Sequence, residues 1–264
     1  MTLIFFIYCV FIFLLGLCVG SFLNCVIYRL ETKKTLKGRS FCPHCKKQLE
    51  TRDLIPVFSF LALKGKCRNC KKNISWQYPI VELATGIVFL LTFLVFNSLT
   101  ILNLINLVFL FYIFSAMIVI FVYDLKHFLI PDKVLIPAII ITFVYIVCSS
   151  ASQDFGIILN HLLASFIGFS FFFTIFAISK GQWMGFGDVK FAILMGLLLG
   201  LPNTLLALFL AFFFGAIIGV ILMIFGKKGI KSEIQFGPFL IFGSFLAALW
   251  GTKIINWYLN LFIQ

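Results

Sequence analysis

Residues 2–28 read TLIFFIYCVFIFLLGLCVGSFLNCVIY, a run without one charged side chain, and residue 29 is arginine. A helix of about 20 apolar residues crosses a bilayer, so this run is long enough to span. A secretory signal would open with a basic segment and close on a small-residue cleavage site. This run opens bare and closes on Arg29, which predicts a retained first span with its N-terminus outside. Similar runs follow at roughly 79–97, 101–123, 134–149, 157–178, 190–201, 204–225 and 238–261, eight spans in all. The run 190–201 is short, ending at Leu201-Pro202-Asn203, so it is expected to be tilted, half buried or partly lumen-lining.

The rest of the chain agrees with this reading. Of 264 residues, 62% are hydrophobic and only 11% charged, with mean hydropathy +1.13. A soluble domain carries roughly 25% charged residues, and no soluble core would absorb 36 phenylalanines in uninterrupted runs. The expected fold is an all-α polytopic membrane protein of about eight transmembrane helices. Small residues four apart, at Gly16/Gly20, Gly196/Gly200 and Gly215/Gly219, permit close helix approach.

Net charge is +12, and its placement decides its meaning. Thirteen of the 21 Lys and Arg lie between Arg29 and Lys72, and all the rest except Lys253 sit in or beside an alternate connection. That is the positive-inside pattern. It puts the loops 29–78, 124–133, 179–189 and 226–237 in the cytosol, and those near 98–100, 150–156 and 202–203 outside. The lipid bilayer is the partner this charge fits; nucleic-acid binding would need a clustered basic footprint. The expected division is a first transmembrane helix over 1–28, a cytosolic loop over 29–78 and a seven-helix membrane domain over 79–264.

Eight cysteines divide into two kinds. Cys9, Cys18, Cys25 and Cys148 lie in apolar runs and read as packed hydrophobes. Cys42-Pro43-His44-Cys45 and Cys67-Arg68-Asn69-Cys70 form two C-x2-C pairs, 21 residues apart, in the cytosolic loop. Thiols there stay reduced. Four thiolates at this spacing suit tetrahedral zinc, and a complete shell makes the site structural. Arg39, Lys46, Lys47, Lys66, Arg68, Lys71 and Lys72 surround it and would favour thiolates.

Among nine carboxylates, two sit at span ends on the cytosolic side. Asp124 closes the third span, before Lys126 and Pro131-Asp132; Asp188 opens the sixth, in Gly185-Phe186-Gly187-Asp188-Val189-Lys190. A carboxylate at the hydrocarbon edge is costly, which makes a functional role the default. Two carboxyls held together can divide base and acid duties on a water and a carbonyl. Gly185 and Gly187 would admit a substrate backbone and unusual loop conformations. The residues alone equally allow a helix cap at Asp188 and an interfacial acid at Asp124. Glu82, at the start of the second span, reads foremost as an interfacial helix acid. His127 and His161 read as interfacial or packing residues.

Ordered motifs tip that balance. Gly20-Ser21-Phe22-Leu23-Asn24-Cys25-Val26-Ile27-Tyr28-Arg29-Leu30, then Asp53-Leu54-Ile55-Pro56-Val57, resemble segments of the bacterial type IV prepilin peptidases. So do Ser75-Trp76-Gln77-Tyr78-Pro79-Ile80-Val81-Glu82-Leu83, Asp124 with Pro131-Asp132, Gly187-Asp188-Val189-Lys190 and Phe236-Gly237-Pro238-Phe239. The Gly-x-Gly-Asp segment also resembles the wider class of membrane aspartyl proteases. The resemblance implies catalysis by Asp124 and Asp188, with Gly185, Gly187, Lys190 and Asp132 supporting the active-site loop. It implies a prepilin or pseudopilin precursor with a short basic leader, cut at the cytosolic face of the bacterial inner membrane. It further implies that the cytosolic loop 29–78 accompanies a second activity, N-methylation of the new amino terminus from S-adenosylmethionine, though no glycine-rich nucleotide motif supports it. Lys126 and Glu31 depart from the family pattern. A proton-coupled transporter would also use such acids, but near the midplane and with repeat symmetry. A non-enzymatic assembly factor would explain the zinc loop and leave Asp188 unexplained. Oligomeric state, a homo-oligomer included, is open.

Overall fold

The computed structural model describes residues 2–96, 101–150, 155–225 and 235–261. Most of the connections expected outside near 98–100 and 150–156, and most of the cytosolic connection 226–237, lie outside the described residues. Among these residues the chain is helical, with two isolated β-bridges, Phe41 to Gln48 and Lys66 to Asn73. The helices are α1 (Thr2–Glu31), α2 (Phe58–Ala62), α3 (Gln77–Val95), α4 (Ile101–His127), α5 (Asp132–Ser150), α6 (Phe155–Ser179), α7 (Phe186–Leu199), α8 (Asn203–Ile224) and α9 (Gly237–Asn260). They group into two compact units, Met1–Val119 and Ile120–Gln264.

In the first unit α1 lies along α3. A Cβ on Gly16 would fall 2.7 Å from Gly86 Cα, and one on Gly20 would fall 2.7 Å from Glu82 Cα. The backbones therefore nearly touch, as the small-residue spacing predicts. Further along, Phe89, Phe93, Leu107 and Phe111 form a buried cluster, with Phe89 stacked on Phe111 at 4.1 Å. Arg29 is buried, and its guanidinium donates to the carbonyls of Thr35 and Gly38, closing the start of the cysteine loop onto the end of α1.

In the second unit α7 is the buried centre, packed mainly on α6 with α5 and α9 beside it. Phe191, Ala192, Leu194 and Met195 have no exposed surface. Gly196 fits against the backbone of Ala164 and Ser165, and Gly243 of α9 against that of Ala207 in α8. His161 is a packing residue here; its Nδ1 is 2.6 Å from the Leu197 carbonyl oxygen.

Among the described residues seven helices are long and apolar enough to span, where the sequence predicts about eight. The difference is α7. Its 14 residues reach about 21 Å at 1.5 Å per residue, short of a hydrocarbon core of about 30 Å. Its apolar run reflects burial in protein, which periodicity cannot distinguish from lipid exposure.

Candidate active site and metal centre

Two helix ends and a glycine converge in the second unit. α4 runs four residues past its expected end, so Asp124 lies inside its last turn. Phe128, at φ 56°, then turns the chain out of the helix, and its N–H bonds the Asp124 carbonyl at 2.9 Å. Asp188 is the third residue of α7 and its N–H donates to the Gly185 carbonyl. Both carboxylates are buried, Asp124 at 5% and Asp188 at 8% exposure.

Gly237, the first residue of α9, marks how close they come. A Cβ there would overlap Asp124 Oδ2 and stand 3.3 Å from Asp188 Oδ1. The two carboxyls thus face one point, and only a residue without a side chain leaves that point free. Beside it, Gln235 Nε2 donates to the Asp124 carbonyl oxygen at 2.9 Å. Gln235 and Gly237 have no weight in the sequence reading. The Phe236-Gly237-Pro238-Phe239 resemblance points to their neighbourhood without assigning them a role.

The supporting residues divide. Lys190 Nζ donates to both Asp132 oxygens, at 2.7 and 2.8 Å, tying the start of α5 to α7. Gly187 is steric: a Cβ would come 3.0 Å from Ile130 Cβ. Gly185 holds an ordinary extended backbone, φ −73° and ψ 146°. The unusual conformations expected of these two glycines do not occur; close approach at Gly187 is what α7 needs.

The four cysteines of the first unit come together, with Cys42, Cys45, Cys67 and Cys70 Sγ all within 4.8 Å of one another. A tetrahedron of Zn–S bonds near 2.3 Å has edges of about 3.8 Å, and Cys42 and Cys70 Sγ stand 3.9 Å apart. The donor set and spacing fit a zinc ion. The two pairs also fold alike. Cys42 and Cys67 each donate N–H to a carbonyl five residues on, Lys47 and Lys72, and each is followed by a lysine at positive φ, Lys46 and Lys71. The repeat Cys-x2-Cys-Lys-Lys is legible in the sequence and underlies this symmetry. Backbone N–H groups of Cys70 and Asn69 pull the Cys67 thiol down to about 7, whereas burial pushes Cys42 up to about 11.

Two cations expected to favour the thiolates are engaged elsewhere. Arg68 pairs with buried Asp53 at 2.8 Å, and Lys47 donates to Asn69 at 2.9 Å, joining the two knuckles.

Two family models match the chain in sequence. Residues 14–96 match the bacterial peptidase A24 N-terminal domain, and residues 110–220 the type IV leader peptidase family. A Bacillus subtilis (strain 168) prepilin leader peptidase/N-methyltransferase is 31% identical over 252 residues, covering 95% of this chain and 97% of that protein. The chain belongs to the type IV leader peptidase family. Proteins of the same description from Pseudomonas aeruginosa and Aeromonas hydrophila are 30% and 26% identical, over 94% and 96% of this chain and 92% and 94% of theirs. No solved structure gives a significant match. As a family member the chain is an enzyme of the bifunctional peptidase and methyltransferase class, and its seven apolar helices make it a multi-pass membrane protein.

Proposed function

We propose that the chain is a membrane aspartyl endopeptidase that removes a short basic leader from a prepilin or pseudopilin, with Asp124 and Asp188 as its catalytic pair. The carrying observation is the convergence of both carboxyls on the point beside Gly237. Two carboxyls this close hold one proton between them. One takes a proton from a bound water while the other donates to the scissile carbonyl oxygen. Water oxygen bonds to the carbonyl carbon, and the tetrahedral intermediate collapses as a carboxyl proton passes to the leaving amine. Which aspartate starts as base is not assigned. Burial of the pair excludes bulk water and strengthens each interaction with the developing charge.

Lys126, Lys133, Lys180 and Lys190 flank these two helix ends, which favours the cytosolic face of the inner membrane for the site and the outside for the N-terminus. In this reading residues 1–28, 29–78 and 79–264 are the functional divisions, and both aspartates fall in the last. Cys42, Cys45, Cys67 and Cys70 would hold a structural zinc that closes a loop with little apolar core of its own. N-methylation of the new amino terminus, with S-adenosylmethionine as donor, follows from the relatives' shared description, and the donor's binding residues are not assigned.

The test is cleavage of a prepilin-like substrate in membranes by Asp124→Asn and Asp188→Asn. Each should lose on the order of 10³-fold or more at normal expression. Normal cleavage by either would remove the aspartyl mechanism.

A further inference from the structure

The cysteine loop ends in a segment that does not behave as a soluble loop. Ile55, Phe58 and Leu61 are 50%, 65% and 62% exposed, and Leu54 is exposed beside them. Four large apolar side chains within eight residues face outward, while Phe60 turns inward beneath Trp76, their rings 4.9 Å apart. A segment facing water would not be built this way.

Its depth is set by a hydrogen bond. The Val57 N–H donates to Glu82 Oε2 at 2.7 Å. Glu82 is the sixth residue of α3, about 7.5 Å along the helix from Gln77 at 1.5 Å per residue. α3 has 19 residues and is about 28 Å long, so it crosses a hydrocarbon core of about 30 Å with nothing to spare. Its first turn must therefore lie at the hydrocarbon edge and Glu82 below it. Val57, and with it Ile55 and Phe58, is held at the level of the upper acyl chains.

The backbone is bent to reach that level. Val57 adopts φ 61° and ψ −50°, and Phe58 N–H bonds the Pro56 carbonyl at 2.6 Å, a γ-turn that a β-branched residue rarely accepts. Such a conformation persists where surrounding contacts over-determine it. Glu82 is the contact that does so, and this explains a buried carboxylate in a span whose sequence reading was an interfacial acid.

Neighbouring surfaces fit lipid. Ile80 and Leu83, which flank Glu82 on the spanning helix α3, are exposed apolar side chains too. Trp76, 69% exposed just before α3, has the place of an interfacial aromatic anchor. Lys64 and Lys66 are exposed a few residues on, where anionic headgroups would meet them.

We infer that residues 54–61 form a re-entrant wedge, pinned by Glu82, whose Leu54, Ile55, Phe58 and Leu61 insert among the acyl chains of the leaflet carrying the cysteine loop. The loop is then anchored to the bilayer at both spans and at this wedge between them.

The experiment places photoreactive p-benzoylphenylalanine at position 58, 61 or 71 of the full chain in phosphatidylethanolamine/phosphatidylglycerol vesicles, and identifies the adducts by mass spectrometry. Position 71 lies on the second cysteine knuckle and is exposed. Lipid adducts at 58 and 61 should exceed those at 71 at least fivefold. Equal lipid labelling at all three, or adducts at 58 and 61 chiefly to a second copy of the chain, would overturn the wedge. Adding Glu82→Ala should lower lipid labelling at 58 toward that at 71, whereas Glu82→Gln, whose amide oxygen still accepts from Val57, should keep it. Undiminished labelling at 58 in Glu82→Ala would overturn the pin.

Discussion

At the residue scale, Gly237 is the position where least change should have most effect. Any side chain there displaces Asp124 Oδ2 or fills the point both carboxyls face. Misplacement of reacting groups by about 1 Å can cost roughly 10²-fold. Gly237→Ala should therefore lose leader cleavage by that order, while methylation of an already cleaved peptide persists and reports a folded enzyme. Loss of both activities together would make Gly237 a folding residue. Gln235→Ala removes one hydrogen bond to the Asp124 carbonyl, worth about 1 kcal/mol net, so it should cost about fivefold in kcat with KM little changed. Neither residue's role could be read from the sequence. A glycine before a proline at a helix start looks like ordinary helix initiation, and its approach to two carboxyls 49 and 113 positions away exists only in the fold.

At the scale of elements, the spans and the four-cysteine loop were legible, and α7 was legible only in part. Apolar run length reports lipid spans because a bilayer demands about 20 residues, and helices α1 and α3–α6 begin and end within a few residues of the runs that predict them. α7 has the same composition for another reason, burial inside its own unit, and length was the sole clue. Its close fit has a consequence. A Cβ on Gly196 would overlap the Ser165 backbone, which cannot rotate away, so Gly196→Ala should lower stability by about 1–3 kcal/mol, read as a fall in Tm in detergent. In the proposed reading the cysteine loop would depend instead on a zinc ion held by its four thiolates. Cys67→Ser should reduce zinc from about one per chain to little, and open the loop to trypsin at Lys64 and Lys66. Full zinc occupancy in that variant would exclude the four-thiolate site.

At the scale of the whole molecule, the four cysteines and the two aspartates fall in different compact units. Met1–Val119 holds the four cysteines and the Val57–Glu82 hydrogen bond, and Ile120–Gln264 holds the two aspartates, Gln235 and Gly237. Variants should therefore separate: changes in the second unit should stop cleavage and spare methylation of a cleaved peptide. The measurement that bears most directly on the central claim is the intact mass of a prepilin-like substrate incubated in vesicles holding this chain as the sole protein. Wild type should yield the leaderless chain with one methyl group on its new amino terminus, and Asp188→Asn should return the full-length precursor. Leader removal by Asp188→Asn at the wild-type rate would contradict an aspartyl pair at Asp124 and Asp188.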